Sequence, residues 1–156
     1  MGINLDELAR GGTICLSKAG LAEGTNAATI KTVAPNGAGI DYAINGILYH
    51  LADADNIAIT AATAQADLTT CLYLVCLDSS GTLSTVKGTE QVTANLTAGT
   101  HTLEWPTPTA DTCPIGAIKV VTSGATFTAA TTDLGAGTVT DTYYDLVAVP
   151  SAPLTS

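Results

Sequence analysis

Apolar and polar residues alternate on both sides of Asn45-Gly46, between residues 40 and 51. Asn and Gly tolerate the positive φ angles of a type I′ turn, so this stretch predicts a β-hairpin. A two-residue loop pairs the large apolar residues on one face of the hairpin: Ile40 with Leu51, Tyr42 with Tyr49, and Ile44 with Ile47. The opposite face then carries Asp41, Ala43, Leu48 and His50.

A second hairpin is predicted over residues 70–87, with Asp78-Ser79-Ser80-Gly81 as its loop. Its first strand, residues 71–77, is apolar at every position. A strand buried on one side only would alternate with polar residues. We therefore expect this strand at the centre of a sheet or beneath a subunit interface.

The other strand candidates are short and are separated by Gly, Pro and Asn. They cover residues 29–33, 56–60, 101–105, 114–121, 125–127 and 139–149. No long window shows helical periodicity, and no repeat of fixed period is evident. The pattern predicts an all-β fold, a single β-sandwich domain of jelly-roll type with an extended amino-terminal arm.

Three regions are expected along the chain. Residues 1–39 are predicted to be an arm followed by an irregular, mostly extended segment, with a helical turn over residues 5–10 as an alternative. Residues 40–149 are predicted to form the sandwich domain. Residues 150–156 are predicted to be an extended tail, because prolines at 150 and 153 disfavour regular structure.

The amino-acid composition predicts a largely uncharged surface with a net negative charge. Charged residues make up only 12% of the 156 residues and aromatic residues only 4%, so much of the surface must be neutral. The formal net charge of -9 is repelled by nucleic acids and by anionic membranes. With neither a membrane-spanning run nor a signal peptide, we expect a soluble protein that is made in a cytoplasm.

The four cysteines, at positions 15, 71, 76 and 113, match neither a secreted disulfide framework nor a paired zinc site. Cys71 and Cys76 are five residues apart, so on one strand they point to opposite faces and cannot bond to each other. We expect buried free thiols, with a bridge between distant cysteines as the alternative.

Candidate chemistry is sparse. His50 and His101 lack any signature that joins them to a nucleophile, so neither is expected to be catalytic. Asp53-Ala54-Asp55-Asn56 offers oxygen ligands for calcium, but the calcium-binding loop pattern fails at Ile57, and a structural turn is the expected state. We predict no enzyme, no metal and no cofactor; a glycan hydrolase is a distant alternative.

Three aromatic residues are candidates for a subunit interface. Trp105 is the only tryptophan, and its ring is expected either in the core or as an anchor at an interface. Tyr143 and Tyr144 are adjacent, so a strand places one ring on each of its faces. One of the two is therefore expected in the core and the other at a contact or in solvent.

Several segments resemble small virion proteins of tailed bacteriophages. These segments are Asp41-Tyr42-Ala43-Ile44-Asn45-Gly46-Ile47-Leu48-Tyr49, Ala58 to Thr60, Tyr73-Leu74-Val75 with Leu77-Asp78, Pro114-Ile115-Gly116-Ala117-Ile118-Lys119-Val120, Gly124-Ala125-Thr126-Phe127-Thr128 and Thr131-Thr132-Asp133-Leu134. Among such proteins the chain is most similar to head decoration, or cement, proteins. These are short, acidic, β-rich and often trimeric, and they clamp neighbouring major capsid subunits.

The resemblance implies a homotrimer on the outer surface of the phage head, with the major capsid protein as its partner. A tail-fibre or baseplate module for host attachment is the alternative. We expect Ile3, Leu5 and Leu8 of the amino-terminal arm to bind the capsid or a neighbouring subunit. Nucleic acid and membrane are not expected as partners.

Overall fold

The computed structural model describes residues 12–147, which fold into eleven β-strands and one short α-helix. The strands are β1 (Ile14–Cys15), β2 (Leu21–Glu23), β3 (Thr29–Thr32), β4 (Ile40–Ile44), β5 (Ile47–Leu51), β6 (Ile57–Ala58), β7 (Thr69–Leu77), β8 (Leu83–Lys87), β9 (Gln91–Val92), β10 (Cys113–Thr122) and β11 (Val139–Asp145). The helix is α1 (Thr93–Thr97). The prediction of an all-β, sandwich-like domain is confirmed.

Within residues 12–147 the strands form three antiparallel sheets. The largest has the order β11-β10-β7-β8, and β9 pairs with the beginning of β7. The second has the order β1-β4-β5, and the third has the order β2-β3-β6. In the largest sheet β7 and β8 are joined by a short hairpin loop, residues 78–82, whereas residues 123–138 connect β10 to β11 and residues 78–112, which include β8, β9 and α1, connect β7 to β10.

The β4–β5 hairpin has the predicted register, with Ile40 opposite Leu51 and Ile44 opposite Ile47. Both turn residues take positive φ, 51° for Asn45 and 81° for Gly46, as a type I′ turn requires. The Tyr42 and Tyr49 rings stack with centroids 5.6 Å apart. The Tyr42 hydroxyl donates a hydrogen bond to the backbone carbonyl of Asp78, 2.8 Å away, which ties this sheet to the turn after β7.

Strand β7 is buried at all nine positions and lies between β10 and β8, so its predicted central place is confirmed. Tyr73, Val75 and Leu77 face the main core, whereas Leu74 and Cys76 belong to a second apolar cluster. Each large side chain buried in this way contributes about 1.5–3 kcal/mol. Two apolar clusters on opposite sides of one strand explain why the strand has no polar alternation.

A buried glutamine organises the end of the largest sheet. Gln65 has no exposed surface, and its Nε2 donates to the backbone carbonyls of Thr69 and Val120, each 3.1 Å away. Its Oε1 accepts a hydrogen bond from the Tyr73 hydroxyl at 3.2 Å. Its backbone also forms a bridge with Phe127. The Gln65 amide therefore uses both its nitrogen and its oxygen in hydrogen bonds to residues of β7 and β10. The sequence pattern did not indicate this role of Gln65.

The segment that precedes residue 40 contributes directly to the core. Residues 14–32 form β1, β2 and β3, and β1 pairs with β4. Cys15, Ala19, Leu21 and Ile30 are buried in the main cluster together with residues of β7 and β10. Residues 12–39 therefore pack as part of the same domain as the strands that follow, because their apolar side chains complete the same core.

Several predicted strands differ from the observed ones. Within residues 12–147 no strand covers 101–105, and 125–127 forms only the single bridge of Phe127 to Gln65, so these two predictions are wrong. The candidate at 56–60 is shortened to β6, and β11 ends at Asp145. Pro106 and Pro108, which follow Leu103 and Trp105 closely, lack the N–H groups that a ladder needs. Helix α1 was not predicted, since five residues are too few for a periodic signal.

Candidate functional site

The irregular stretch of residues 101–112, here called the covering segment, lies over the second face of β7. Trp105 packs against the cluster of Leu74, Cys76 and Leu146. A Cβ atom placed on Gly88, just after β8, would lie 3.1 Å from Pro106 Cγ, so the segment runs close to the sheet. The ring of Trp105 therefore belongs to a core-like cluster of its own chain and is at the same time partly exposed.

A groove of about 340 Å³ opens between the covering segment and the sheet. Its walls include Leu74, Trp105, Pro106, Pro108 and Leu146, and we call it the Trp105 groove. Among the described residues that line it, none is charged, and most of the lining surface is apolar. A concave apolar site of this size is within the range that small ligands or peptide segments occupy.

The Trp105 indole carries an unmet hydrogen-bond donor. Its Nε1 is buried, and no atom of residues 12–147 accepts a hydrogen bond from it. A buried donor without a partner costs about 1–3 kcal/mol. The prediction that Trp105 anchors a subunit interface is not decided by this geometry, but the groove beside the ring is open to a further occupant.

The two adjacent tyrosines lie on opposite faces of β11, as predicted. Tyr143 pairs with Ile118 in the register of β10 and packs against the main core. Tyr144 pairs with Ala117, one residue along, and so points to the other face of the sheet. Burial raises the pKa of the Tyr143 hydroxyl, and the neighbouring Asp141 adds to the rise. Tyr143 is therefore a packing residue, and Tyr144 is the one of the two that faces away from the core.

A second candidate surface is the outer face of the β1-β4-β5 sheet, here called the Leu48 face. Five of its members alternate with the core-facing residues of β1, β4 and β5, and a sixth, Leu16, follows β1 directly and donates its backbone N–H to the Asp41 carbonyl; the five are Ile14, Asp41, Ala43, Leu48 and His50. Leu48 is 71% exposed, Leu16 is 48% exposed and Ile14 is 38% exposed. Three large apolar side chains on one sheet face of a protein this small mark a candidate contact surface.

The edge of the same sheet is open. Strand β5 pairs with β4 on one side, and no strand within residues 12–147 pairs with its other side. Ile47 at the start of β5 is 59% exposed. An edge strand with exposed apolar side chains presents unpaired backbone groups that another strand can join.

The comparisons with known proteins identify no relative. No protein-family model matches the chain. No curated protein and no solved structure matches it either.

The acidic turn at residues 53–56 has a structural role, as expected. Asp55 accepts hydrogen bonds from the backbone N–H and the hydroxyl of Thr25, and these bonds lower the pKa of its carboxyl group. Asp53 accepts a hydrogen bond from the backbone N–H of Ala34 at 2.9 Å. In the part of the chain that the structure describes, no group of three or more His, Cys, Asp or Glu side chains is placed to hold a metal ion.

The four cysteines are free and buried, as predicted. Burial raises the pKa of Cys71 and of Cys76 to about 11 and that of Cys113 to about 12. Burial also raises the pKa of Cys15. Thiols with such values stay protonated at neutral pH, so they lack the thiolate that nucleophilic chemistry requires.

Both histidines lie on the surface. His50 Nδ1 is 2.8 Å from Asp41 Oδ1 across the hairpin, and both side chains are more than half exposed. His101 Nδ1 is 3.3 Å from the Thr100 hydroxyl. His50 therefore occupies the outer hairpin face that its position predicted. The arm residues Ile3, Leu5 and Leu8 lie outside the described residues.

Among the described residues, no helix has both the length and the apolar composition needed to cross a membrane.

Proposed function

We propose that the chain is a structural protein of a tailed-bacteriophage particle, a head decoration or cement protein that binds the outer surface of the head and stabilises the major capsid lattice. It acts by contact rather than by catalysis. The observation that carries the proposal is the Leu48 face with the open edge of β5, since this is exposed apolar surface on a rigid sheet.

The chemistry of this surface suits attachment to a large protein lattice. Burying Leu48, Leu16 and Ile14 removes apolar area from water, which stabilises a complex by about 25 cal/mol per Å² before the costs of association. The net charge of -9 keeps the free protein soluble until it attaches. Because many copies bind one particle, weak individual contacts add up to a stable shell.

The amino-terminal arm supplies a second contact in this proposal. Ile3, Leu5 and Leu8 bind the major capsid protein or a neighbouring subunit, and the protein assembles as a homotrimer. Deletion of residues 1–10 is then expected to abolish attachment to particles while the domain stays folded. Light scattering of the isolated protein measures the trimer directly, and a monomer would contradict that part of the proposal.

The decisive experiment locates the protein on particles. Particles that lack it are incubated with the purified chain, and electron microscopy counts and places the bound copies. Decoration predicts hundreds of copies spread over the head, whereas a few copies at one end would replace it by the tail-fibre or baseplate alternative. Absence of binding to any part of the particle would overturn both.

A matched pair of variants tests the surface. Leu48→Lys places a charge on the Leu48 face and is expected to reduce occupancy on particles by at least about tenfold, because a buried unpaired charge is costly. Thr140→Lys introduces the same positive charge at an exposed position of β11, away from the Leu48 face, and is expected to leave occupancy unchanged. Equal occupancy for both variants would exclude the Leu48 face as the attachment surface.

A further inference from the structure

We propose that the Trp105 groove is a binding site for an extended, proline-containing segment, and that its occupant is the carboxyl-terminal stretch of the same chain, residues 148–154. This inference is carried by the groove alone and does not depend on a role in phage particles.

The groove selects an uncharged occupant. Its walls combine one indole ring with Pro106, Pro108 and Leu146, and the described lining includes no charged side chain that would pair with an ionic group. An ion pulled into such a site would lose its hydration without compensation. Residues 148–154, Ala-Val-Pro-Ser-Ala-Pro-Leu, contain no charged side chain, whereas residues 1–11 include Asp6, Glu7 and Arg10.

The unmet donor at Trp105 Nε1 indicates what the occupant must provide. It needs a carbonyl oxygen delivered into an apolar groove. A polyproline II segment has this property, because its backbone makes no internal hydrogen bonds and its carbonyl groups are available to a partner. Aromatic-lined grooves bind segments of this type for the same reason.

The spacing of the prolines fits this conformation. Pro150 and Pro153 are three residues apart, and a polyproline II helix has three residues per turn, so both rings lie on one side. That side can rest on the apolar wall formed by Trp105 and its proline neighbours. Ser151 and Ala152 then point away from the wall, where small and polar residues are tolerated.

The carboxyl-terminal segment begins next to the groove. Leu146 is itself part of the groove wall, and Pro150 follows it by four residues, about 12 Å in a polyproline II helix. A segment tethered this close has an effective concentration in the millimolar range, which favours binding within one molecule over exchange between copies. Thr13 also lines the groove, so residues 1–11 are the competing occupant.

The single tryptophan makes the test direct. In the chain that ends after Val147, Trp105 fluorescence is expected to shift to longer wavelength and to be quenched more strongly by acrylamide, because the indole gains contact with water. A synthetic peptide of residues 148–156, added to this truncated chain, is expected to reverse both changes. The indole N–H resonance of Trp105 should move downfield with peptide, as a new hydrogen bond requires.

Control variants separate the possible occupants. Pro150→Ala with Pro153→Ala is expected to reproduce the truncation, whereas Ser151→Ala is expected to resemble the unaltered chain. Deletion of residues 1–11 is expected to leave the fluorescence unchanged, and a red shift there would assign the groove to the amino-terminal segment instead. A signal that changes on dilution of the full chain would assign it to a second copy.

Two results would overturn the proposal outright. One is unchanged fluorescence and quenching in the truncated chain. The other is a truncated chain that keeps its far-ultraviolet circular dichroism but does not respond to the peptide at millimolar concentration. If the truncation itself lowers the β-sheet signal, the double proline variant of the full chain decides between the outcomes.

Discussion

Strands β7 and β5 are both rich in apolar residues, but the protein covers them differently. Every position of β7 is buried, with the main core on one side and Leu74 and Cys76 beneath the covering segment on the other. Strand β5 buries part of one face and leaves Leu48 and Ile47 exposed. A short run rich in apolar residues therefore predicts that a strand forms, and the packing of the rest of the chain decides whether both of its faces are buried.

The largest expected effect lies in the core on the inner side of β7. Phe127→Ala removes a ring that is 1% exposed and packs edge-on against Tyr73 at 5.8 Å between centroids. We expect a loss of about 3–5 kcal/mol in the free energy of unfolding, from lost transfer energy and the cavity left behind. Urea denaturation measures it. A loss below about 1 kcal/mol would show that this part of the core is loosely packed.

The next effect concerns polar groups at the same core. Gln65→Leu removes the hydrogen bonds that Gln65 makes with the Tyr73 hydroxyl and the Val120 carbonyl, whereas the Thr69 carbonyl still accepts one from the Thr122 hydroxyl. A loss of about 2–4 kcal/mol is expected, since each buried unsatisfied group costs about 1–3 kcal/mol. Gln91→Leu, at a partly exposed position of β9, is the matched control and should change stability by less than about 0.5 kcal/mol.

Alkaline pH compares the two faces of β7 directly. Cys71 faces the main core and Cys76 faces the second cluster, and burial raises the pKa of both thiols to about 11, against an ordinary value of 9.0. Above pH 9.0 the unfolded chain releases these protons and the folded chain retains them. The contribution of the two thiols to the free energy of unfolding is therefore fully present below pH 9.0 and decreases as the pH rises toward 11. The expected slope is about 1.4 kcal/mol per pH unit for each thiol.

Single variants of the two cysteines test whether both faces of β7 exclude water to the same extent. Cys71→Ala and Cys76→Ala are each expected to reduce the slope of stability against pH by one thiol's share, measured by urea denaturation between pH 8 and about 10.5. An effect of Cys71→Ala alone would mean that water reaches the second face beneath the covering segment.

The smallest expected effect is on the exposed strand. Leu48→Thr replaces a side chain that is 71% exposed by a β-branched residue that suits a strand. The free energy of unfolding is expected to change by no more than about 0.5 kcal/mol, although particle attachment should weaken. Thermal or urea denaturation checks this, and a loss above about 2 kcal/mol would place Leu48 in a buried contact.

Local patterns predicted much of the sheet architecture. The register of β4 with β5 follows from alternation and from the φ angles that Asn45 and Gly46 tolerate. The uninterrupted apolar run of β7 predicted its central place. Adjacent positions on a strand point to opposite faces, which placed Tyr143 and Tyr144 correctly. All of these features depend on residues that are neighbours along the chain or across one turn.

The candidate sites were less accessible to such reasoning. Trp105 was singled out as the only tryptophan, but the groove beside it is formed by residues as distant in sequence as Leu74 and Leu146. Leu48 was placed on the outer hairpin face, but alternation cannot show whether another segment covers that face. Pro106 and Pro108 beside a lone tryptophan were the available signal for an irregular covering segment.

Periodicity and turn chemistry act over a few residues, so the sequence alone was enough to predict β7, β10, most of β11 and the pairing of the β4–β5 hairpin, although it also suggested strands at 101–105 and 125–127 that do not form. Long-range packing, by contrast, brings residues 14–32 into the core, buries Gln65 among sheet carbonyls and places residues 101–112 over β7 instead of in a strand. These outcomes depend on which distant surfaces meet, and burial of apolar area favours contact without specifying the partner.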